Sequence, residues 1–325
     1  MTMILNVIGG GIPAWEATIT SNQQEMNLAT WALAQGWDGE APVAVTVAAG
    51  VYIWSDDTAT PALTTGVLPE GSTIIVAGFI MGRGGDGGWW DSSGDQNGVS
   101  EYGEDGGPAV KLNSDVSIIV QAGGWICGGG GGGAGGNAVK NPVNGGGGAG
   151  GGESTSGGVR QTDGEGWGGA VGMPGNDGYS KDPETFIPPE GGVSGGGGGS
   201  TRGAGGGGAR VVNNDVTGGG RGGHHASQDG YNGGDGGHTN TPGADGYRGP
   251  NSNQSGDYGG GAGGGGGWGA MGGNAMMYTN DTTSPPTVMA TGGLGGKAVD
   301  LNGHIVGWDF LGGASLSGNV WGAVA

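Results

Sequence analysis

Residues 128–136 read GGGGGGAGG, and this stretch of almost bare backbone decides the fold class. A glycine run forms a helix or a sheet poorly, because glycine loses more backbone entropy on folding than any other residue. It also offers no side chains from which to build an ordinary core. Segments in the polyproline-II conformation avoid both problems, since their outward-pointing backbone groups can bond to neighbouring segments wherever no Cβ intervenes. The stretch therefore predicts a bundle of short polyglycine-II helices.

Similar runs recur through the middle of the chain, and 92 of the 325 residues are glycine. The polar inserts between the runs vary in length, as loops do when a rigid scaffold holds their ends. No strict Gly-X-Y repeat occurs, which excludes collagen, and eleven tryptophans argue against a disordered linker. The runs are residues 82–88, 128–136, 145–152, 195–199, 203–208, 218–223, 230–237, 259–267 and 292–296.

The two ends of the chain read as ordinary β-rich protein. β-Branched and alternating apolar residues predict several strands on both sides of the glycine-rich middle. The C-terminal strands are expected to return and pair with those of the head. The predicted strands cover residues 43–47, 51–54, 72–77, 304–308 and 320–324.

One short helix is predicted within the N-terminal part. Thr20 and Ser21 are candidate N-caps for a helix over residues 23–35, which Gly36 would end. The expected fold class is therefore mainly β head and tail strands with a polyglycine-II helix bundle or sandwich and one short α-helix.

Composition shifts divide the chain into three predicted parts. Residues 1–81 form a β-rich proximal attachment head that contains the short helix. Residues 82–275 form the glycine-rich polyglycine-II lattice with variable loops, and residues 276–325 supply C-terminal strands that pack on the head or the lattice.

Two short internal repeats, which we call echoes, indicate an ordered fold and not a low-complexity segment. Residues 106–113 (GGPAVKLN) recur as residues 295–302 (GGKAVDLN), with Ala, Val, Leu and Asn kept in step. Residues 72–76 (STIIV) resemble residues 117–120 (SIIV), and each is followed by an isoleucine and a glycine run. These echoes predict that strands lead into the glycine lattice.

The sequence resembles the glycine-rich receptor-binding tip modules of tailed-phage fibres and tail tips at residues 27–39, 42–50, 60–66 and 68–72 and at the closing residues 296–302 and 321–325. The resemblance covers both ends of the chain well and its middle by composition. It implies a layered sandwich of polyglycine-II helices whose variable loops touch the bacterial surface at the far end. It also implies a virion protein located at the tail tip or fibre, joined to other phage tail proteins through its N-terminal region. A homotrimer at a central tip and a monomer capping a trimeric fibre are both left open.

Charge narrows the classes of partner. Twenty-nine acidic and ten basic residues give a net charge of −19, which opposes binding to nucleic acid. The single cysteine, Cys127, cannot form an internal disulfide. Neither a signal-peptide pattern nor a long apolar run is seen, so we expect synthesis in the host cytoplasm and no membrane insertion. No cofactor is expected.

Aromatic and histidine side chains in the inserts are the candidate receptor-binding residues. Trp and Tyr combine an apolar ring with a hydrogen-bonding group, which makes them favoured anchors of interfaces. Packing on the glycine lattice is the alternative interpretation for the aromatic residues. The candidates are Trp89, Trp90, Tyr179, Phe186, His224, His225, Tyr231, Tyr247, Tyr258 and Tyr278, with Tyr102 beside them.

The predicted scaffold combines glycines from successive runs with tryptophans that lie next to runs. A flat indole can lie on bare backbone and bury a large area there. The scaffold residues are Gly130, Gly147, Gly197, Gly206, Gly220, Gly263, Trp125, Trp167 and Trp268.

Catalytic and metal sites receive little support from the sequence. His224, His225 and His238 invite a zinc interpretation, but no cysteine ligand or HExxH pattern accompanies them. The acidic residues lack the spacing of a calcium-binding loop, so solvated charge is preferred and no metal site is expected. Cys127 is expected to be a buried residue with no catalytic role. The acidic residues concerned are Asp86, Asp91, Asp95, Glu101, Glu104 and Asp105.

These observations predict a non-enzymatic adhesin of a phage tail tip or fibre. Its partner would be a protein or a glycan on the bacterial surface, bound by loops that a rigid scaffold preorganises. A glycan-degrading tail spike, which needs a pair of carboxylates in a groove, is one alternative. A structural or ice-binding glycine-rich protein is the other.

Overall fold

The computed structural model describes residues 13–88, 102–138, 240–246, 263–278 and 285–325, with residue 237 and six short strand segments between residues 141 and 261. The N-terminal half of the described chain passes repeatedly through three strand positions. Its elements are β1 (Trp15–Ile19), β2 (Gln23–Gln24), β3 (Met26–Asn27), α1 (Leu28–Ala34), β4 (Val43–Val47), β5 (Tyr52–Trp54), β6 (Leu63–Thr64), β7 (Thr73–Val76), β8 (Phe79–Met81), β9 (Val110–Lys111), β10 (Val116–Val120) and β11 (Trp125–Cys127).

The middle of the chain contains strands that the sequence analysis did not predict. Five of them form one antiparallel sheet in the order β13-β12-β18-β19-β20, and two antiparallel pairs are β14 with β15 and β16 with β17. These strands are β12 (Gly136–Ala138), β13 (Asn141–Val143), β14 (Val211–Val212), β15 (Asp215–Val216), β16 (Tyr231–Asn232), β17 (Tyr247–Arg248), β18 (Gly259–Gly261), β19 (Ala275–Tyr278) and β20 (Thr287–Ala290).

The last strands return to the N-terminal half of the chain, but they pair with β9, β10 and β11 and not, as predicted, with strands of the head at residues 1–81. The last elements are β21 (Val299–Asp300), β22 (Val306–Phe310), the four-residue helix α2 (Leu316–Asn319) and β23 (Val320–Trp321). Two of them lie close to the predicted strands 304–308 and 320–324. The prediction of a mainly β protein is confirmed.

Three parallel sheets form a β-solenoid, by which we mean β1–β11 and β21–β23. The first sheet has the order β1-β4-β7-β10-β22, the second β2-β5-β8-β11-β23 and the third β3-β6-β9-β21. The chain visits the three sheets in turn and then begins the next coil, so every neighbouring pair is parallel. In the fifth coil, a bridge from Val324 to Val299 occupies the place of the last strand.

Apolar ladders fill the interior of the solenoid. In the second sheet Ile53 pairs with Ile80, Ile80 with Ile126, and Ile126 with Val320. All four side chains are buried in one cluster with the inward residues of the other two sheets. Alternation along each strand sends these residues inward and their neighbours in the strand outward. Burial of these ladders stabilises the stack of coils.

The internal echoes of the sequence correspond to paired strands. Val110 of the first GGPAVKLN-type echo pairs with Val299 of the second. In the other echo, Ile74 pairs with Ile118 and Val76 with Val120. A parallel solenoid places equivalent positions of successive coils directly beside one another, so similar residues recur where the same space must be filled.

The predicted position of the first helix was wrong at its start. Residues 23–27 belong to β2 and β3, which pair with β5 and β6. The helix begins after Asn27, whose side chain accepts a hydrogen bond from the Thr30 amide at 3.0 Å. Thr20 and Ser21 are therefore not its N-caps, because pairing with the second coil takes residues 23–27 into the sheets.

The glycine-rich segments leave the solenoid at one corner. Residues 82–109 connect β8 to β9, and residues 128–298 connect β11 to β21. Both connections run from the second sheet to the third. The glycine segments therefore start and end at neighbouring points of adjacent coils. No helix in the described part of the chain is long and apolar enough to cross a membrane.

Candidate functional site

The described glycine segments lie side by side and bond laterally through their backbones. We call them the glycine lattice: residues 82–88, 103–107, 128–134, 240–246, 263–273 and 292–296, with Gly237. Between two neighbouring segments, successive donor residues are three positions apart, and so are successive acceptor residues. Each segment therefore presents the same edge to the same neighbour. The amides of Gly82, Gly85 and Gly88 donate to the carbonyls of Cys127, Gly130 and Gly133 at 2.9, 2.8 and 2.7 Å.

Exposure follows the same three-residue period at the edge of the lattice. Within residues 82–88, Arg83 and Asp86 are partly exposed, whereas the glycines are buried. The Arg83 Nη2 atom lies 3.2 Å from Asp86 Oδ1, so the two side chains share one column. In residues 292–296, Leu294 is 60% exposed. Side chains are thus accommodated where a segment faces solvent.

Residues 128–134 form the centre of the lattice and are all buried. The Gly132 amide donates to Glu104 O, and Gly132 O accepts from the Gly293 amide, both at 2.8 Å. The Gly266 amide donates to Gly131 O, also at 2.8 Å. Further bonds reach residues 82–88 and 269–273. Neighbours therefore surround this segment and leave little room for side chains.

Space requires glycine in this central segment. A Cβ on Gly129, Gly132 or Gly133 would lie closer than 3.0 Å to a backbone carbonyl oxygen of a neighbouring segment. Of the predicted scaffold glycines, Gly263 has the same constraint against Gly273 O. Gly130 is buried and its carbonyl accepts the Gly85 amide. Each constraint is set by backbone, which cannot move aside as a flexible side chain can.

The lattice has an inner end at the solenoid and an outer end away from it. At the inner end, Gly82 follows β8 directly and Gly128 follows β11. At the outer end, Gly88 bonds to Gly133, and Ala134 bonds to Gly263 and Gly273. Residues 82–88 and 128–134 therefore run outward, and residues 263–267 and 292–296 run back inward.

The five-stranded antiparallel sheet lies at the outer end. Strand β12 begins just after Ala134, and β18 ends just before residue 263. Strand β19 begins just after Gly273, and β20 ends just before the run at residues 292–296. This outer sheet therefore joins successive lattice segments where they turn.

Three of the predicted receptor-binding residues belong to strands at this end. Tyr278 lies in β19, opposite Gly259 of β18. Tyr231 in β16 and Tyr247 in β17 belong to a strand pair that lies beside β18. Tyr102 is 70% exposed and precedes Gly103, whose amide donates to Thr291 O. The fold thus brings residues far apart in sequence to one end.

The inner end rests on an aromatic cluster on the outer face of the second sheet. Trp268 is fully buried there, in contact with the cluster formed by Phe79, Met81, Cys127 and Trp321. The Trp125 and Trp321 rings lie 4.5 Å apart at 54°. Two of the predicted scaffold tryptophans, Trp125 and Trp268, are therefore placed between the lattice and the solenoid.

Cys127 lies in this aromatic cluster and is fully buried as a free thiol. Burial raises the pKa of the thiol well above its ordinary value, because a thiolate would be desolvated. At neutral pH the group is a neutral, inert part of the packing. This position agrees with the sequence-based expectation of a buried residue.

Polar side chains tie the lattice to the loop between β5 and β6. Thr58 Oγ1 donates to Glu104 Oε1 at 2.6 Å, and the Asp86 amide donates to Glu104 Oε2 at 3.0 Å. In the same loop, Asp57 accepts hydrogen bonds from the Ala59 amide and the Thr60 hydroxyl. These bonds lower the pKa of the Asp57 carboxyl, the Ala59 amide most of all. The carboxylates here bind backbone and hydroxyl groups of the chain itself.

No cluster of three or more His, Cys, Asp or Glu side chains suited to a metal ion occurs within the residues that the structure describes. Among the acidic candidates, Asp86 bonds Arg83, and Asp105 Oδ1 accepts the Leu294 amide at 2.6 Å. The two carboxylates thus accept hydrogen bonds from a neighbouring guanidinium group and from a backbone amide of the lattice. Asp91, Asp95, Glu101, His224, His225 and His238 lie outside the described residues.

Several further predicted site residues also lie outside the described residues, and their roles stay predictions. Among the receptor-binding candidates these are Trp89, Trp90, Tyr179, Phe186 and Tyr258, with His224 and His225 named above. Among the scaffold candidates they are Gly147, Gly197, Gly206, Gly220 and Trp167.

Sequence reasoning missed two features of the site. It did not predict the outer sheet, whose strands are three or four residues long and carry glycine in β12 and β18. It also missed the contact of Trp321 with Trp125 and Trp268. The alternation around Trp321 indicates a strand, but nothing in the neighbouring residues indicates a partner on the far side of the glycine-rich middle region.

Comparison with solved structures finds a similarity to the gp37–gp38 adhesin tip complex of the bacteriophage S16 long tail fibre, with 17% sequence identity and a TM-score of 0.40. The similarity covers 96% of this chain and 82% of the other. No curated protein matches the sequence. The phage tail fibre adhesin family Gp38 matches residues 14–201, more than half of the chain. This chain therefore belongs to the Gp38 family of phage tail fibre adhesins, receptor-binding proteins of the virion tail.

Proposed function

We propose that the chain binds a protein or a glycan on the bacterial surface through its outer end, with a polyglycine-II lattice as the rigid support. The observation that carries this proposal is the polarity of the lattice. Its inner end rests on the solenoid, and its outer end carries the short strands and the turns. Receptor contact at the outer end leaves the solenoid available to the rest of the tail.

The polyglycine-II assignment rests on three properties of the lattice. Hydrogen bonds between residues 82–88 and 127–133 recur every third residue. Edge side chains such as Arg83 and Asp86 share one column at the same period, which matches three residues per turn. Glycine is required by contact with neighbouring backbone. At about 3.1 Å per residue, residues 128–134 would span about 19 Å and hold the outer end clear of the solenoid.

Rigidity is what the lattice contributes to binding. A loop that is ordered before contact loses less conformational entropy when it meets its receptor. The segments whose described flanks lie at the outer end are therefore proposed to contact the receptor. They are residues 89–101, residues 247–262 and residues 275–291, together with β12, β13 and β16. The turn at residues 268–269 lies at the inner end and is proposed to play no part in it.

Attachment to the tail is proposed to use the solenoid. A fibre adhesin must contact its fibre as well as its receptor, and the solenoid lies at the opposite end from the outer sheet. Membership of a family of tail fibre adhesins supports a tail-protein partner for this chain. The N-terminal region, residues 1–81, supplies most of the first three coils. Light scattering of the purified chain and of its complex with the fibre would separate a monomeric cap from a homotrimer.

Binding is proposed to be reversible and non-enzymatic, as the adhesin family suggests. The described carboxylates Glu104, Asp105 and Asp86 are occupied by backbone, hydroxyl or guanidinium donors of the chain. Incubation of the protein with host polysaccharide should therefore leave the length of the polysaccharide unchanged. Shortening of the polysaccharide would instead favour a glycan-degrading tail spike.

Adsorption to host cells tests the proposal directly. Tyr231→Ala, Tyr247→Ala and Tyr278→Ala each remove an aromatic side chain from a strand at the outer end. We expect at least one of them to weaken binding about tenfold or more, because a few aromatic anchors usually carry an interface. Val67→Ala is the control, since Val67 is 80% exposed on the solenoid. Equal binding by all four folded variants would contradict a receptor site at the outer end.

A further inference from the structure

The segment that follows α2 joins parts of the lattice that are far apart in sequence. We call residues 320–325 the clasp. Val320 pairs with Ile126 of β11, and the Trp321 carbonyl accepts the Gly128 amide at 2.8 Å. The clasp therefore contacts the point at which the central lattice segment leaves the solenoid.

Two glycines fit the clasp against the inner end of the lattice. Gly322 has φ +118°, and a Cβ on it would collide with Gly296 O and Ala298 N. Gly269 has φ +60°, and a Cβ on it would collide with the backbone of Trp321 and Gly322. The backbone of the clasp thus lies between the Trp268–Gly269 turn and the end of the last lattice segment, with no room for a side chain on either glycine.

The rest of the clasp is bonded to the solenoid. The Val299 amide donates to Ala323 O at 3.2 Å, the Ala325 amide to Val299 O at 3.1 Å, and the Leu301 amide to Ala325 O at 2.9 Å. Asn319, just before the clasp, donates from Nδ2 to Gly124 O at 2.9 Å and is buried. The clasp is therefore held by the fourth coil on both sides of its contact with the lattice.

We infer that the clasp is a positioning element that sets the placement of three lattice segments relative to the solenoid and thereby orders the outer end. The start of residues 128–134, the turn at residues 268–269 and the end of residues 292–296 all contact Trp321 or Gly322. Each of these segments leads to a strand of the outer sheet. Order at the outer end therefore depends on a contact at the inner end, whether or not the outer end binds the receptor.

Gly322→Ala in the full-length protein, followed by amide hydrogen exchange, tests this inference. Local opening exposes amides of the opened unit while the remainder stays protected. We expect exchange in residues 128–134, 263–273 and 292–296 to accelerate about tenfold or more. Strands β4, β7 and β10 of the first sheet should keep their protection, because their hydrogen-bonded partners are one another, β1 and β22, and none of these belongs to the clasp.

Gly313→Ala is the matched control. Gly313 also has a positive φ, +91°, but a Cβ on it would meet nothing within 4 Å. Gly313→Ala therefore introduces the same kind of backbone strain without a collision with neighbouring backbone. The lattice amides of this variant should exchange at the wild-type rate. Equal exchange in the two variants, or equal loss of protection in the lattice and in the first sheet of Gly322→Ala, would overturn the inference.

Trp321→Phe covers the case in which Gly322→Ala fails to fold. It keeps the backbone carbonyl that binds Gly128 and an aromatic ring, but it removes part of the packing against Trp125 and Trp268. We expect the same lattice-selective acceleration with a smaller amplitude. Wild-type lattice exchange in Trp321→Phe would refute the inference, whereas failure of the wild-type protein to adsorb to cells would count against the proposed function alone.

Discussion

Gly132→Ala places one methyl group in the centre of the glycine lattice. The added Cβ would collide with the Asp86 carbonyl group and approach the Gly87 amide. A carbon atom and an oxygen atom pack comfortably at about 3.5 Å, so residues 82–88 and 128–134 must separate by more than about 1 Å. The hydrogen bonds of Gly85 and Gly88 to the central segment are the first that such a movement breaks.

The free energy of unfolding should fall by about 3 kcal/mol. Two net hydrogen bonds contribute about 1 kcal/mol each, and forcing the methyl group into packed backbone costs about 2 kcal/mol. Alanine offsets about 0.7 kcal/mol of this by restricting the unfolded chain. Residues 128–134 and 82–88 cannot relax independently, since other lattice segments hold both of them.

Urea-induced unfolding, followed by far-UV circular dichroism and tryptophan fluorescence, measures the change. Gly123→Ala is the matched control, because Gly123 has no positive φ and the nearest atom to an added Cβ is Ala77 O at 3.8 Å. That variant should be as stable as the wild type or more stable by about 0.4–1 kcal/mol. If Gly132→Ala and Gly123→Ala unfold at the same urea concentration, the argument that backbone contact requires glycine in the lattice is wrong.

Further substitutions and treatments probe the solenoid. Ile80→Ala should reduce the free energy of unfolding by about 2–5 kcal/mol, because Ile80 is fully buried in the ladder of the second sheet. Ile305→Ala is the control, since the Ile305 side chain is 71% exposed. It should change the free energy of unfolding by less than about 0.5 kcal/mol in the same urea titration. Asn27→Ala should cost about 1 kcal/mol by removing the N-cap bond to Thr30, and an unchanged melting temperature would contradict that role. Burial holds the pKa of the Cys127 thiol above its ordinary value near 9.0, so mass spectrometry should find no alkylation of the native protein at pH 8 and full alkylation in urea. Because the thiol ionises more easily in the unfolded chain, the free energy of unfolding should also fall as the pH rises above 9.0.

The strands of the solenoid were largely predictable from local sequence. Residues 43–47 coincide with β4, and residues 72–77 contain β7. β-Branched alternation is a local property that survives in any sheet with one buried face. The helix was misplaced at its start because pairing with distant β5 and β6 overrides the local preference of residues 23–27.

The type of the candidate site could be predicted from the sequence, but its position in the fold could not. Aromatic inserts beside glycine runs indicate a binding surface, but their position depends on whether each run goes outward or inward. That direction follows from lateral bonds such as Ala134 with Gly263 and Gly296 with Gly129, which join residues more than a hundred positions apart. A glycine run carries no side-chain pattern that could indicate such a partner.

The amino-acid sequence alone indicated that this protein is mainly β and that it resembles a phage adhesin, and it predicted that the glycine runs form ordered segments. Each of these properties is written in composition, alternation or short echoes, which act over a few residues. Only the tertiary structure decided the stacking of the coils, the inner and outer ends of the lattice and the contact of Gly322 with Gly269. The physical reason is that backbone hydrogen bonds between glycines are identical in chemistry, so the folded packing, and not residue identity, selects which segment bonds to which.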